Sequence, residues 1–300
     1  MTIYREVWKA ARAGLIDSVS FHKALVVLVR CAKVRSKLFQ CLLLNGIIFL
    51  GSIMVFNWIL GPLLGLVIGS LLPSQRVGLE LQASMTLWIS WVYYSLWIAP
   101  LYIVTFILNT IWYRDIAIDS VELFAKHSSV SGASFARSSV QTSIPNQIAD
   151  ILLRSLFNIV YLGYLTVLAP YRSLYAISLA FLISFNAFEF KYRQLNFSDK
   201  VDLIESHWVY FLSFSIWVAV LVTEFPTMVE NGLLGVLFPF LLINASSTGH
   251  PVPVSIPSDP LPRLTLGWLS KLRVFFIVRK LTDGLVYLIN VYNTSKKPIN

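Results

Sequence analysis

Charge is what this chain lacks most: only 13% of its 300 residues are Asp, Glu, Lys or Arg, while 56% are hydrophobic. An ordinary soluble domain carries about 25% charged residues, so the deficit excludes that class and indicates an integral membrane protein. No polar stretch exceeds about 40 residues, which leaves no room for a separate soluble catalytic domain of the usual ~100–150 residues. Cysteine is nearly absent: Cys31 and Cys41 lie ten apart with no CxxC, so neither a disulfide nor a metal site is expected. The histidines His22, His127, His207 and His250 fall in separate segments, and no Gly-rich phosphate loop, HExxH or GxSxG appears. The chain therefore reads as no enzyme, with no cofactor. A signal peptide's unbroken apolar core is missing too, since Arg5, Glu6, Lys9, Arg12 and Asp17 interrupt the N-terminus; insertion is expected to use the first transmembrane helix.

What the chain does have is six charge-free apolar runs in two sizes. Nothing charged lies between Lys37 and Arg76 or between Glu80 and Arg114, and each run exceeds the roughly 20 residues that span a bilayer. These predict two long transmembrane helices. The four later runs, Ser155–Tyr171, Ser173–Phe188, Ser206–Thr223 and Asn231–Ala245, hold only 15 to 18 residues. Their spacing predicts two helical hairpins that cross the membrane partly or fully. The fold class is an all-α integral membrane protein, a single membrane domain over 1–300 with amphipathic interfacial helices at both ends.

The positive charge is gathered at the two ends. Residues 1–40 carry eight cations against two acids, and residues 259–300 carry seven against two, within a net charge of +9. Cytoplasmic flanks of membrane spans collect Lys and Arg, and anionic headgroups attract such clusters. The expected partner is thus a bilayer with anionic headgroups, not nucleic acid, and both termini are expected in the cytoplasm. The 61–82 and 224–230 turns hold one cation and none, against four in 114–154 and three in 189–205, so the two poor turns are assigned to the lumen. On this topology the sequons at Asn196, Asn244 and Asn293 lie on the cytoplasmic side or at its boundary, where glycosylation cannot occur.

Residues 1–37 read as cytoplasmic interfacial helices, with Ile3, Val7, Trp8, Ala11, Leu15 and Val19 at helical spacing and Arg5, Lys9 and Arg12 on another face. Such a helix lies on the membrane or packs on the protein's own surface. Residues 38–248 form the membrane core. Within it Gly61, Gly65 and Gly69 repeat a GxxxG spacing that serves helix packing, internal or dimeric. The Gly61-Pro62 step is expected to kink or end the first span, because 38 uncharged residues would extend about 57 Å, almost twice the hydrocarbon thickness. A luminal turn follows near Pro73–Gln82. Trp112 and Arg114 anchor the end of the second span, and residues 114–150 read as a mixed-charge, serine-rich loop. Residues 249–263 form a proline-rich connector, and 264–300 an amphipathic helix and tail along the cytoplasmic interface.

Two groups of charges stand out as candidate sites. Arg172, Glu224 and Glu230 mark the hairpin tips; they sit inside the membrane if the hairpins stop short, or in a luminal turn if they cross. Glu189, Lys191 and Arg193 read as interface anchors, with Glu189 and Arg193 at the i,i+4 spacing of a helix-face ion pair.

FQCLLLNGIIF (Phe39–Phe49), LWIAPLYIVTFILNTIWYRDIA (Leu96–Ala117), FEFKYRQLNFSDKVDLIESHWVYF (Phe188–Phe211) and LLGVLFPFLLINA (Leu233–Ala245) together resemble the etoposide-induced protein 2.4 family of endoplasmic reticulum membrane proteins. The resemblance runs over roughly residues 38–290. That family is distantly related to bacterial CysZ sulfate permeases, which combine two long transmembrane helices with partly penetrating hairpins. The resemblance implies residence in the endoplasmic reticulum, a role as regulator or scaffold in autophagy and in growth-control or cell-death pathways, and partners in the autophagy machinery. The alternative it leaves is a CysZ-like anion or ion permease or a lipid-handling protein. CysZ proteins carry a Gly-Leu-Arg anion motif near the N-terminus, whereas this chain has Gly14-Leu15-Ile16-Asp17, and an acid there would repel an anion.

Overall fold

The structure is a computed structural model that describes residues 2–71, 76–127, 144–192, 195, 197–248 and 272–284. All regular structure among the described residues is helical. Two short helices, α1 (Thr2–Ser18) and α2 (Phe21–Arg30), precede the first long helix. That helix is built from α3 (Ala32–Leu42), α4 (Gly51–Val55) and α5 (Gly61–Leu71), joined by π-helical segments at Leu43–Leu50 and Phe56–Leu60. The second long helix joins α6 (Arg76–Tyr93) to α7 (Ala99–His127) through a π-helical segment at Tyr94–Ile98.

Both long helices carry a proline, and neither breaks there. The first is continuous over Ala32–Ser70, 39 residues, and the second over Glu80–Phe124, 45 residues. Of the expected kink or end at Gly61-Pro62, this corrects the end. A proline ring clashes with the carbonyl four residues back. Here a wider π turn ends just before Gly61-Pro62 and another just before Ala99-Pro100, and their looser pitch relieves that clash. Gly61 itself holds a helical φ of −60°.

The two long helices form an antiparallel arm. Its rungs run from base to far end: Lys37 pairs with Asp115 at 3.6 Å, Asn45 bonds Asn109, the Tyr93 hydroxyl donates to the Ser52 carbonyl at 2.7 Å, and Gln82 Nε2 donates to the Gly65 carbonyl at 2.8 Å. The second long helix continues past Arg114 to His127, and the next helix starts at Ile144. Residues 114–127 and 144–150, expected in a loop, are therefore helical; residues 128–143 lie outside the described residues, as do the connector 249–263 and most of the tail.

A second body packs beside the base of the arm. It consists of the hairpin α8 (Ile144–Leu168) and α9 (Arg172–Phe188), then α10 (Phe197–Ser206), and the hairpin α11 (Trp208–Thr223) and α12 (Thr227–Ser247). Between α10 and α11 the chain turns by 87° at His207. Aromatic rings fill the body: Phe157, Tyr161, Phe181, Phe185, Phe188, Phe211 and Phe214 are all buried, with ring centres 4.8 to 6.2 Å apart in edge or tilted contacts. Residues 272–284, helical from 276, close this core from outside by inserting Phe275 among Phe157, Tyr161, Phe181 and Phe185. The C-terminal amphipathic segment thus docks on the protein itself.

α1 takes the second of its two expected settings, against the protein, while Tyr4 and Trp8 still face outward. It lies along α11 so closely that any side chain at Gly14 would strike the Tyr210 carbonyl and the Ser213 hydroxyl. α12 joins body and arm in the same manner: a Cβ at Gly235 would overlap the Asn45 carboxamide, and one at Gly232 would overlap Leu50 and Phe49. Close glycine packing therefore falls at 14, 232 and 235. Gly61, Gly65 and Gly69 sit on the far arm, where a Cβ on Gly65 meets nothing within 4 Å and one on Gly69 meets the Gln82 side chain at 3.0 Å.

Candidate functional site at the hairpin tips

The tips of the two hairpins meet. Helix α8 ends before Pro170, which cannot continue it, and α11 ends before Pro226, so each hairpin turns within four or fewer residues and leaves its charges together. Arg172, first residue of α9, forms an ion pair with Glu224 across the gap, and its Nη2 also donates to the Thr223 carbonyl at 3.3 Å. Both side chains are more than half exposed. Glu230, one turn into α12, is by contrast buried and accepts a 2.7 Å hydrogen bond from the Tyr175 hydroxyl. Arg172 thus meets Glu224, 52 residues on, while Glu230 on the same tip is held by Tyr175, one turn from Arg172. The sequence does not mark Tyr175, because a tyrosine in an apolar run signals nothing by itself; only its place one turn from Arg172 hints at it.

The tip is surrounded by bare apolar surface. Val167, Tyr171, Leu174, Ile177, Val220, Leu221, Phe225 and Met228 are exposed, whereas α9 from Ser178 to Phe185 is buried without interruption. An exposed ion pair ringed by apolar side chains neutralises two charges that would each be costly near hydrocarbon. The cluster offers one guanidinium, two carboxylates and a phenol; histidine and cysteine do not contribute, and no group of metal-ligating side chains forms among the described residues.

The base of the body carries a second polar cluster. Tyr210 donates to Asp17 at 2.9 Å, and Lys23 pairs with Asp17 at 3.2 Å. Asn244 donates to the Ser18 carbonyl at 2.6 Å, and the Trp217 indole donates to the Ser18 hydroxyl. Lys191 donates to the Thr248 carbonyl at 2.7 Å and bonds its hydroxyl. Its stem reaches the surface but its ammonium is enclosed, and that burial pushes the ammonium down to about 7, against the pull of Asp17 and with the help of Lys23. Glu189 is held by Arg154 of α8 at 2.7 Å. Arg193 lies outside the described residues, as does Asn196. Trp112 packs in a cluster with Val34, Leu38 and Ile116, while Arg114 is exposed at the same level. Asn244, in a glycosylation sequon, is fully buried.

A third feature was not visible beforehand. Glu205 takes the Phe275 amide on its carboxylate at 3.2 Å and the Leu272 amide on its carbonyl at 3.1 Å, and Arg279 reaches back to Asp202 at 3.4 Å. Phe188–Phe211 thus contains the receptor for the C-terminal segment.

Comparison with known proteins agrees with this architecture. The family profile described as sulfate transporter CysZ/etoposide-induced protein 2.4 matches residues 20–229. A protein from Arabidopsis thaliana named Protein EI24 homolog is 26% identical over 302 positions, covering 90% of this chain and 91% of its own. Its namesake from Dictyostelium discoideum is 23% identical over 283 positions, covering 90% and 86%. No solved structure matches. The profile spans over two thirds of the chain and takes in the arm, the first hairpin and the tip cluster as far as Val229: this chain belongs to the sulfate transporter CysZ/etoposide-induced protein 2.4 family.

Proposed function

We propose that the protein is a non-enzymatic scaffold or regulator in the endoplasmic reticulum membrane, with both termini in the cytoplasm, that acts in autophagy and in growth-control or cell-death pathways. The observation that carries this reading over transport is the filled interior of the body. Among the described residues the space between α8, α9 and α11 is occupied by interlocked aromatic rings, and the buried hydroxyls there of Ser184 and Ser215 bond each other and backbone carbonyls. The cation-rich α1 and α2 face anionic headgroups, and the partners are proteins of the autophagy machinery. The pathway rests on kinship, an associational argument, so its test must be cellular. Cells lacking the protein should show altered autophagic flux restored by the wild-type chain, with the protein coincident with a reticulum marker and both terminal tags open to protease. Normal flux in those cells removes the reading.

The tip cluster favours a second reading, a CysZ-like permease for anions or ions or a lipid-handling protein. Arg172, Glu224 and Glu230 are the ionisable groups such a route would use. Reconstituted protein is assayed for sulfate flux and for lipid scrambling. Transport that is lost in Glu224→Gln or Arg172→Ala would replace the scaffold reading.

A further inference from the structure

At the base of the arm the two long helices turn one edge inward and leave the other open. Val34 and Leu38 of α3 and Ile116 of α7 are buried in a cluster with Ala24 and Val27 of α2 and Ile243 of α12. On the open side α3 and α7 enclose a cleft of about 570 Å³, within the ~300–1,000 Å³ of small-molecule sites. Lys33 and Lys37 line its α3 wall, and Asp115 and Asp119 its α7 wall. Each pair is four residues apart, so each forms a row along its own helix. Because the helices are antiparallel, Lys37 stands level with Asp115 and Lys33 with Asp119. Ala32 and Ser36 complete the α3 wall, and their short side chains keep the cleft open.

The two levels of the cleft differ. Lys37 closes on Asp115 at 3.6 Å, whereas Lys33, Ser36 and Asp119 make no hydrogen bond or ion pair among the described residues. Rows of charge that served only each other would close at both levels. Here the level nearer the base leaves a cation, a hydroxyl and a carboxylate around a shared space. The cleft also sits at the charge boundary of the arm: Lys37 precedes the uncharged run that lasts to Arg76, and Asp115 follows Arg114, which ends the uncharged run from Glu80. That boundary is where headgroups meet a membrane span. On its apolar side Ile111, Ile107 and Ile103 continue the row of Asp119 and Asp115 in steps of four, and each is more than half exposed. An acyl chain laid along that row has its headgroup over the cleft.

We propose that this cleft is a binding site for one phospholipid whose headgroup carries a primary ammonium, phosphatidylethanolamine. The phosphate is held by the Lys33 and Lys37 ammonium groups and the Ser36 hydroxyl. The headgroup ammonium donates to the carboxylates of Asp115 and Asp119, and the Lys37–Asp115 pair opens to admit it. Charge balances, because two cations and two acids surround a headgroup with one charge of each sign. Phosphatidylcholine is disfavoured: its trimethylammonium has no N–H to donate, and among the described residues no aromatic ring lines the cleft to receive it. Phosphatidylserine is disfavoured too, since its carboxylate sits on the carbon that bears the ammonium and is carried against the two aspartates. The inference needs only that the base of the arm meets a bilayer surface, so it stands or falls apart from both functions proposed above.

The test uses the full chain in detergent micelles, titrated with phosphatidylethanolamine, phosphatidylcholine and phosphatidylserine of the same acyl chains, with bound lipid counted by native mass spectrometry. One phosphatidylethanolamine per chain should be retained, about tenfold more tightly than either of the others. Lys33→Gln combined with Asp119→Asn should remove that preference. Neither side chain has a partner among the described residues, so the melting temperature of the double variant should stay that of the wild type. Arg35→Gln, which removes a cation of the same helix that turns to the Leu28 carbonyl at 3.4 Å, should keep the preference. Glycerophosphoethanolamine, the headgroup without its chains, should not displace the lipid at equal concentration; displacement would assign the cleft to a soluble phosphoester and overturn the lipid. Equal retention of the three lipids, a preference that survives the double variant, or one lost equally in Arg35→Gln overturns the proposal.

Discussion

Asn45 and Asn109 face each other across the arm and exchange both of their carboxamide hydrogen bonds, Asn45 Nδ2 to Asn109 Oδ1 at 2.9 Å and Asn109 Nδ2 to Asn45 Oδ1 at 2.8 Å. The pair is buried, 64 residues apart in sequence, and Asn45 Nδ2 also reaches the Cys41 carbonyl at 2.8 Å. Both asparagines lie in long apolar runs, where an unpaired amide would be costly, so each requires the other. Interhelical bonds of this kind are worth about 0.6 kcal/mol on average and at most ~1.7 kcal/mol in membrane proteins. Asn45→Leu and Asn109→Leu should each destabilise the detergent-solubilised protein by about 1–2 kcal/mol, and the double variant by clearly less than their sum. Additive losses in unfolding titrations would mean that the two amides do not act as a pair.

The closest helix contact predicts a different sensitivity. Gly14→Ala places a methyl group on the Tyr210 carbonyl and 3.1 Å from the Phe214 amide, and backbone cannot retreat as a side chain would. The cost is about 1–3 kcal/mol, typical of overpacking. Gly65→Ala, whose methyl meets nothing within 4 Å, should leave stability unchanged. Thermal melting of the two variants side by side checks the contrast; equal melting would remove the close α1–α11 contact.

Lys191 sets a pH dependence. Its ammonium titrates near 7 in the folded protein, whereas an unfolded lysine titrates near ~10.4. Between these values the unfolded chain binds the extra proton, so stability rises as pH climbs from about 7 toward 10; below 7 both states are protonated and the contribution is flat. Lys191→Met should abolish that rise while leaving the low-pH protein at least as stable as wild type. Parallel slopes of melting temperature against pH for both proteins would show that Lys191 does not titrate there.

Phe275 predicts how firmly the C-terminal segment is held. It is fully buried among four aromatic rings, and Phe→Ala changes in such settings cost about 3–5 kcal/mol. Phe275→Ala, or Glu205→Gln more mildly, should release residues 272–284, seen as faster amide exchange and trypsin cleavage at Arg273, Arg279 and Lys280. The exchange of α12 should stay unchanged. Unchanged protection of 272–284 would mean that Phe275 does not hold the segment.

Much of the candidate site could be read before the fold was known. Arg172, Glu224 and Glu230 are conspicuous because charges are rare in apolar runs, and their value as candidates rested on that rarity alone. That Arg172 neutralises Glu224, and that Glu230 is buried beneath the Tyr175 hydroxyl, could not be read, because these contacts join hairpins 51 to 55 residues apart. Glu189 likewise gains a cation that no local pattern shows, Arg154 on another helix, while its i,i+4 neighbour Arg193 lies outside the described residues. Proline misled for a related reason: Pro62 reads as a stop, yet a π turn upstream keeps the helix whole, and nothing local in the pattern announces that turn.

By itself the sequence determined the membrane character, the two long helices and the two hairpins, because excluding charge from hydrocarbon is a one-dimensional constraint written directly into the order of residues. The tertiary structure alone decided which glycines touch, which carboxylates are paired, and how far the hairpins reach along the arm. Those depend on register between helices, and register comes from the fit of distant surfaces such as Gly235 on Asn45 and Gly14 on Tyr210.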